Sequence, residues 1–191
     1  MRLVILGPPG AGKGTQAARI AGSFGIPAIS TGDIFRANIK NETPLGRQVK
    51  EVLASGGYVT DEITNAIVRD RLLEDDAERG FLLDGYPRTA AQVRALDAIL
   101  AERDHHLDAV LELTVDEEAV VERLLRRAAE QARDDDTEEV IRERQAIYRK
   151  ETAPLTEIYG ARGLLRRVDG MGTVDEVFER ISGALSGAVP S

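Results

Sequence analysis

The sequence has no cysteine and no long hydrophobic run. Without cysteine, neither a disulfide bond nor a cysteine-ligated zinc site can form. The apolar run near the N-terminus, residues 3–6, is far too short for a signal peptide or a membrane span. These absences favour a cytoplasmic protein that does not associate with a membrane.

Positive charge is scarce as well. The 25 lysines and arginines are outnumbered by 33 aspartates and glutamates, which gives a formal net charge of −8. A general nucleic-acid-binding protein needs a basic surface, so the charge balance argues against one. A small anionic ligand in a local basic cleft remains compatible with it. The two histidines, His105 and His106, lie in a polar turn before a predicted strand, and we expect them to be solvated.

Short apolar runs alternate with helical patterns along 191 residues, a length that suits one compact domain. This alternation is typical of β-α-β units, and it predicts an α/β fold with a parallel sheet covered on both faces. The predicted strands are residues 2–6, 27–30, 81–84, 109–113 and 164–168. The predicted helices are residues 13–24, 60–75, 89–103, 116–131 and 137–151.

Residues 31–59, between the second and third strands, form a longer connection than a simple crossover needs. Their pattern predicts two short helices. Pro44 suits the first position of the second helix, and the glycines of residues 55–57 suit its end. We therefore expect a small mobile flap at this place.

The segment GPPGAGKGT, residues 7–15, lies between the first predicted strand and the first predicted helix. Its glycines allow the backbone to approach an anion closely, and Lys13 can reach the β- and γ-phosphates of a nucleotide. The general P-loop pattern has Ser or Thr directly after the lysine, whereas here Gly14 intervenes and Thr15 follows. A P-loop alone leaves a kinase, a nucleotide switch and a degenerate structural loop open.

Two further motifs follow predicted strands. STGDIFR, residues 30–36, contributes hydroxyl groups and Arg36, and DGYPRT, residues 84–89, stands at the carboxyl end of a strand, where open α/β sheets bind ligands. Asp84 is suited to hold Mg²⁺, directly or through water. Arg88 offers a guanidinium for bidentate phosphate binding.

Other arginines are candidates for the same cleft. Arg123 and Arg127 are four residues apart and share a helix face, and Arg133 and Arg144 follow them. The same region also contains Arg126, Arg142 and Arg149, and nothing local in the sequence indicates which of these side chains point inward.

Six segments, in order and across nearly the whole chain, together resemble the adenylate kinases. They are GPPGAGKGT, STGDIFR, DGYPRT followed by Gln92, ERLLRR (122–127), RDDDTEEVIRER (133–144) and YRKETAPL (148–155). The resemblance implies a P-loop NTP hydrolase-like three-layer α/β/α fold with a five-stranded parallel sheet. It implies a monomeric phosphotransferase that catalyses MgATP + AMP = 2 ADP for adenine nucleotide homeostasis.

The resemblance also implies the roles of individual residues. Gln92 would recognise the adenine edge of AMP, and Asp84 would hold Mg²⁺ through water. The implied catalytic residues are Lys13, Arg88, Arg127, Arg133 and Arg144. The implied ATP-binding residues are Gly10, Ala11, Gly12, Lys13, Gly14, Thr15, Arg123, Arg127 and Gly172. The implied AMP-binding residues are Thr31, Arg36, Gly57, Tyr58, Val59, Gly85, Tyr86, Pro87, Arg88, Gln92, Arg133 and Arg144.

The sequence departs from many adenylate kinases in its lid, which is reduced to AAEQA between Arg127 and Arg133 and resembles the short forms of the family. A zinc-bearing lid, found in some relatives, is excluded by the lack of cysteine. We therefore expect a single domain with a core of residues 1–29, 60–126 and 134–191, an AMP-binding flap of residues 30–59 and a short lid of residues 127–133.

Three alternatives stay open at this point. A UMP/CMP-type kinase would share the P-loop and most of the arginines. A small-metabolite kinase that phosphorylates a hydroxyl group would need an acidic base, for which Asp33 is available. A nucleotide-binding switch would need no acceptor at all.

Overall fold

The computed structural model describes residues 1–116, 119–121, 124 and 137–187. Within them, five parallel strands form one sheet in the order β2-β3-β1-β4-β5, which confirms the predicted α/β fold. The strands are β1 (Arg2–Leu6), β2 (Ala28–Ser30), β3 (Phe81–Asp84), β4 (Ala109–Thr114) and β5 (Leu165–Asp169).

Two apolar clusters cover the two faces of this sheet. Leu3 and Ile5 of β1 belong to one cluster, while Val4 and Leu6 belong to the other, because successive side chains of a strand point to opposite faces. Each fully buried leucine or isoleucine contributes about 1.5–3 kcal/mol to folding. The helices are α1 (Lys13–Phe24), α2 (Thr31–Lys40), α3 (Pro44–Ala54), α4 (Asp61–Leu72), α5 (Ala90–Ala101), α6 (Glu138–Ile147), α7 (Leu155–Ala161) and α8 (Val174–Leu185).

Helices α1 and α8 pack on one face of the sheet, and α4, α5 and α7 pack on the other. None of the described helices is both long and apolar enough to cross a membrane. The observed strands and helices lie within three residues of the predicted ones up to residue 116. The helix predicted over residues 116–131 falls largely outside the described part of the chain.

The helix predicted over residues 137–151 is interrupted. Helix α6 ends at Ile147, and a π-helical turn, Tyr148–Thr152, follows it. The backbone N–H of Ala153 donates to the carbonyl of Tyr148 at 2.9 Å, five residues back, which marks the wider turn. Helix α7 then begins after Pro154, which has no backbone N–H to continue a regular helix.

Residues 30–59 contain the two short helices that the sequence predicts, α2 and α3, and they have a small apolar cluster of their own. Phe35, Val49 and Val59 are buried in this cluster, and Ile63 and Ile67 of α4 pack against it. Neither sheet cluster shares these residues. Residues 30–59 thus have an apolar cluster that is distinct from those of the sheet.

Close packing of α2 on α3 depends on Gly46. A Cβ atom at this position would lie 2.1 Å from the carbonyl oxygen of Asn38, a backbone atom that cannot rotate away. We expect Gly46→Ala to separate the two helices and to lower the free energy of unfolding by about 2–3 kcal/mol. Urea unfolding followed by circular dichroism measures this loss, and hydrogen exchange should localise the lost protection to residues 31–54.

Gly22 of α1 provides the matched control, since a Cβ atom there would meet no atom within 4 Å. Gly22→Ala should stabilise the protein by up to about 1 kcal/mol, because alanine favours a helix over glycine. Equal exchange protection of residues 31–54 in Gly46→Ala and in the unmodified protein would show that the contact is not needed.

Candidate active site

The three sequence motifs meet at one edge of the sheet. Ser30 at the end of β2 and Ile5 near the end of β1 both pair with Asp84, the last residue of β3. The segments that leave these strands therefore emerge side by side. This is the crevice beyond the carboxyl ends of parallel strands, where α/β proteins bind their ligands.

The P-loop, residues 7–15, turns sharply between β1 and α1. Gly10 and Gly12 have φ angles of +86° and +87°, a left-handed conformation that favours glycine. A Cβ atom on Gly10 would also lie 2.8 Å from Cγ of Leu124. Because the first backbone N–H groups of a helix have no partner within it, the start of α1 can donate to an anion held above the loop.

Lys13 is the first residue of α1, and its side chain folds back over the loop. Its Nζ donates to the carbonyl oxygens of Gly7 at 2.8 Å and Pro8 at 3.0 Å. These two bonds hold the ammonium group at the mouth of the loop, where a phosphate can exchange for the carbonyls.

The P-loop borders an open cavity of about 480 Å³, here called the P-loop cleft. Four cationic side chains line it, together with two carboxylates. The lining residues are Pro9, Gly10, Gly12, Lys13, Gly14, Thr15, Ser30, Gly32, Asp33, Arg36, Asp84, Gly85, Arg88, Leu124 and Arg144.

A second, narrower pocket, here called the flap pocket, opens between α2, the end of α3 and the start of α5. Its lining combines apolar and cationic side chains. The lining residues are Thr31, Gly32, Phe35, Arg36, Leu53, Gly56, Gly57, Tyr58, Val59, Thr64, Gly85, Arg88, Gln92 and Arg144. Arg88 and Arg144 line both this pocket and the P-loop cleft, so the two cavities meet at a pair of guanidinium groups.

Three contacts fix the position of Arg88. Its Nε donates to the carbonyl oxygen of Gly85 at 2.7 Å, and its guanidinium carbon lies 4.8 Å from the centre of the Tyr58 ring. Its own carbonyl oxygen accepts a hydrogen bond from Oγ1 of Thr152 at 2.9 Å. These contacts preorganise the guanidinium plane of Arg88 beside the two cavities that it lines.

Thr152, in the π-helical turn, also connects Arg88 to Tyr58. The Tyr58 hydroxyl lies 2.9 Å from Oγ1 of Thr152, within hydrogen-bonding distance. Because Thr152 donates to the Arg88 carbonyl, Tyr58 is the donor in this second bond. The π-helical turn therefore supports both the Tyr58 ring, which lies against the Arg88 guanidinium, and the backbone of Arg88.

Gln92, expected to recognise a base, is 1% exposed and already hydrogen-bonded at both ends of its amide. Its Oε1 accepts from the backbone N–H of Arg88 at 2.7 Å, and its Nε2 donates to Oδ1 of Asp61 at 2.8 Å. One N–H and one lone pair are left for a ligand in the flap pocket.

Asp84 extends from the end of β3 towards the start of α1, and its Oδ2 would be 3.7 Å from a Cβ atom on Gly14. It lines the P-loop cleft together with Thr15. The described residues contain no group of three or more His, Asp or Glu side chains that could form a complete metal cage. One carboxylate and one hydroxyl fit Mg²⁺ that enters with nucleotide phosphates, because this ion keeps several waters and takes few protein ligands.

Two buried tyrosines near the site, Tyr148 and Tyr86, remain protonated. Burial raises the pKa of the Tyr148 hydroxyl, and the nearby Glu112 carboxylate raises it further. Burial likewise raises the pKa of Tyr86, whose hydroxyl donates to Asn65 Oδ1 at 2.7 Å. Both tyrosines therefore act as neutral hydrogen-bonding groups.

Three predicted site residues lie apart from these cavities. Ala11 and Tyr86 are buried in the two sheet clusters, so their backbones alone are available to a ligand. Gly172 lies between β5 and α8, close to Glu176, and lines none of the cavities described above. The arginines Arg123, Arg127 and Arg133 lie outside the described residues, as does the lid predicted over residues 127–133.

Pro87 lines a recess next to the P-loop cleft, with Tyr148 and Thr152. Thr152 and Asp61 are the site residues that the sequence analysis missed. Asp61 is the first residue of α4, where an acidic residue is ordinary, and Thr152 lies within a predicted helix, so neither position carries a functional signal.

Known proteins are similar to this chain over the segments that form these cavities. A family model described as "Adenylate kinase" matches residues 5–164. A protein named adenylate kinase from Clavibacter michiganensis subsp. michiganensis is 61% identical, over 97% of this chain and 93% of its own length. Proteins with the same name from Leifsonia xyli subsp. xyli and Nocardioides sp. are each 60% identical, over 96% and 97% of this chain and 92% and 97% of their own lengths.

Proposed function

The chain belongs to the adenylate kinase family and catalyses the reversible phosphoryl transfer ATP + AMP = 2 ADP, and we propose that its P-loop cleft binds ATP while its flap pocket binds AMP. The observation that carries this assignment is the pair Arg88 and Arg144, which line both cavities. Phosphates entering from the two sides would meet at these two guanidinium groups.

For ATP, the P-loop glycines and the N-terminus of α1 supply backbone donors, and Lys13 supplies the charge next to the transferred group. Arg123 and Arg127 are assigned to ATP, and Arg133 to the phosphates between the nucleotides, by family resemblance alone. Gly172 is assigned to the ATP base on the same ground.

For AMP, the apolar residues that line the flap pocket suit a base, and its arginines suit a phosphate. Gln92 would bind the adenine edge, while Arg36 and Arg88 would bind the phosphate. The flap of residues 30–59 would close over this nucleotide, and the lid of residues 127–133 over ATP. Since one chain supplies the lining of both cavities, we propose that the monomer is active.

The acceptor is a phosphate oxygen, and a phosphate monoester has a second pKa of about 6, so the acceptor is largely ionised near neutral pH. No side chain has to remove a proton. Catalysis then consists of alignment and charge neutralisation, which arginine and lysine provide. Mg²⁺, held by Asp84 and the Thr15 hydroxyl, would neutralise charge on the phosphates when it is bound.

The assignment is tested by measuring ADP formation from MgATP with AMP, UMP, CMP or glycerol as acceptor, beside a blank without acceptor. We expect AMP to react at least about 100-fold faster than UMP, because uracil presents a carbonyl and an N–H where adenine presents an amino group and an acceptor. We expect AMP to react faster than CMP as well, because the smaller cytosine ring does not extend as far towards Gln92. We expect a low blank, because water would be excluded when both cavities are filled. Preference for UMP or CMP would contradict the role of Gln92, and a fast blank would contradict closure.

A further inference from the structure

The amide of Gln92 has one chemically consistent orientation. The backbone N–H of Arg88, 2.7 Å from Oε1, can only donate, and the Asp61 carboxylate, 2.8 Å from Nε2, can only accept. Rotating the amide by half a turn would place two donors together at one end and two acceptors together at the other. Water could not relieve either mismatch, because Gln92 is only 1% exposed.

Asp61 is itself held in place. Its two carboxylate oxygens each lie 3.2 Å from Oγ1 of Thr89, which donates to them. The same Oγ1 accepts from the backbone N–H of Gln92 at 3.1 Å and so caps α5. The carboxylate also stands in the first turn of α4, where the helix dipole favours negative charge. Asp61 is thus fixed relative to the residue that it orients.

The other described side chains of the flap pocket do not supply this orientation. Phe35, Leu53 and Val59 are apolar. The hydroxyl of Thr31 donates to the Gly85 carbonyl at 2.9 Å, and the hydroxyl of Thr64 donates to the Thr60 carbonyl at 2.9 Å. These residues shape the pocket, but their hydroxyl protons are already in use.

We propose that Asp61 is a specificity-determining positioning residue, which locks the Gln92 amide so that the flap pocket accepts a 6-aminopurine and rejects a 6-oxopurine. The inference rests on the proposed placement of AMP in this pocket. Adenine carries a donor at its 6-amino group and an acceptor at N1, whereas a 6-oxopurine carries the reverse pair. A fixed amide can match one of these patterns, and a freely rotating amide would match both. Loss of two buried hydrogen bonds makes the rotated amide roughly 100-fold less populated.

The test compares AMP with inosine 5′-monophosphate (IMP), its 6-oxo counterpart, as acceptors in the full-length enzyme. Asp61→Asn keeps the shape of the side chain but offers either a donor or an acceptor, so it removes one of the two mismatches of the rotated amide and leaves the one at the Arg88 N–H. Since one mismatch of two is removed, we expect the ratio of kcat/KM for AMP to kcat/KM for IMP to fall by about ten-fold, with the KM for ATP unchanged. Asp97→Asn is the matched control, since Asp97 pairs with Arg162 on the surface and should leave the ratio as it is.

Gln92→Ala separates this inference from the function on which it rests. If Gln92→Ala leaves the AMP to IMP ratio unchanged, the placement of the base against Gln92 fails, and the inference fails with it. If Gln92→Ala lowers the ratio but Asp61→Asn does not, the placement stands and the lock is wrong. Equal losses for both acceptors in Asp61→Asn would make Asp61 merely structural. Asp61→Ser provides the same comparison if Asp61→Asn does not fold.

Discussion

Replacing Lys13 by methionine is expected to lower kcat by roughly 100- to 1000-fold, with a much smaller change in the KM for ATP. Methionine has a similar length and keeps the apolar stem, but it removes the charge that Nζ holds at the mouth of the P-loop, 2.8 Å from the Gly7 carbonyl. Negative charge shifts among the phosphate oxygens during transfer, so a fixed cation acts most strongly in the transition state.

Lys50, exposed on α3, is the matched control, and Lys50→Met should retain full activity. Steady-state kinetics with both substrates varied separates the effect on kcat from that on KM, and circular dichroism checks the fold. A Lys13→Met enzyme with normal kcat and a raised KM for ATP would mean that the ammonium group contributes equally to substrate and transition state.

The sheet could be predicted from the sequence because its strands are short, almost wholly apolar and separated by regular helical patterns. The buried strand β1 was predicted at its observed bounds, residues 2–6. Strand β5 was placed one residue early, since Leu164 is apolar but precedes the strand, while Asp169 is polar but ends it. Burial pattern decides the interior of an element, whereas its ends depend on local hydrogen bonds that composition does not encode.

The arginines mark a limit of sequence interpretation. Arg142 and Arg144 belong to the same helix, and nothing in their neighbourhood distinguishes them. In the structure, Arg142 is 70% exposed and pairs with Glu138 one turn away, while Arg144 lines both cavities. The difference arises from the side of α6 that meets the flap, where Val140 and Arg144 would contact a Cβ atom on Gly56. Such a contact between distant segments requires the tertiary fold.

The same limit applies to the residues that support the site. Family resemblance indicates Arg88 and Gln92, but it does not indicate that Asp61 and Thr152 hold them. These supports are 31 and 64 residues away along the chain, and each sits at an ordinary position in a helix or turn. A motif identifies the group that meets the substrate, while its orientation depends on neighbours that only the folded chain brings together.

Arg88→Lys is expected to lower kcat/KM for AMP by at least about 100-fold, although the positive charge is kept. Lysine has no Nε to donate to the Gly85 carbonyl, no plane to stack on the Tyr58 ring, and no paired donors for two phosphate oxygens. Arg88→Ala should be more severe still, because it also removes the charge at the junction of the two cavities.

The two variants together separate geometry from charge, and Arg94, exposed on α5, supplies matched controls as Arg94→Lys and Arg94→Ala. Kinetics should be measured in both directions, with ATP plus AMP and with ADP alone, because an arginine between the nucleotides has to affect forward and reverse transfer alike. If Arg88→Lys keeps more than about a tenth of the normal kcat/KM, the guanidinium serves as a point charge. The contacts that orient its plane would then be structural, and alignment of the phosphates would have to depend on Arg144 and on residues of the lid.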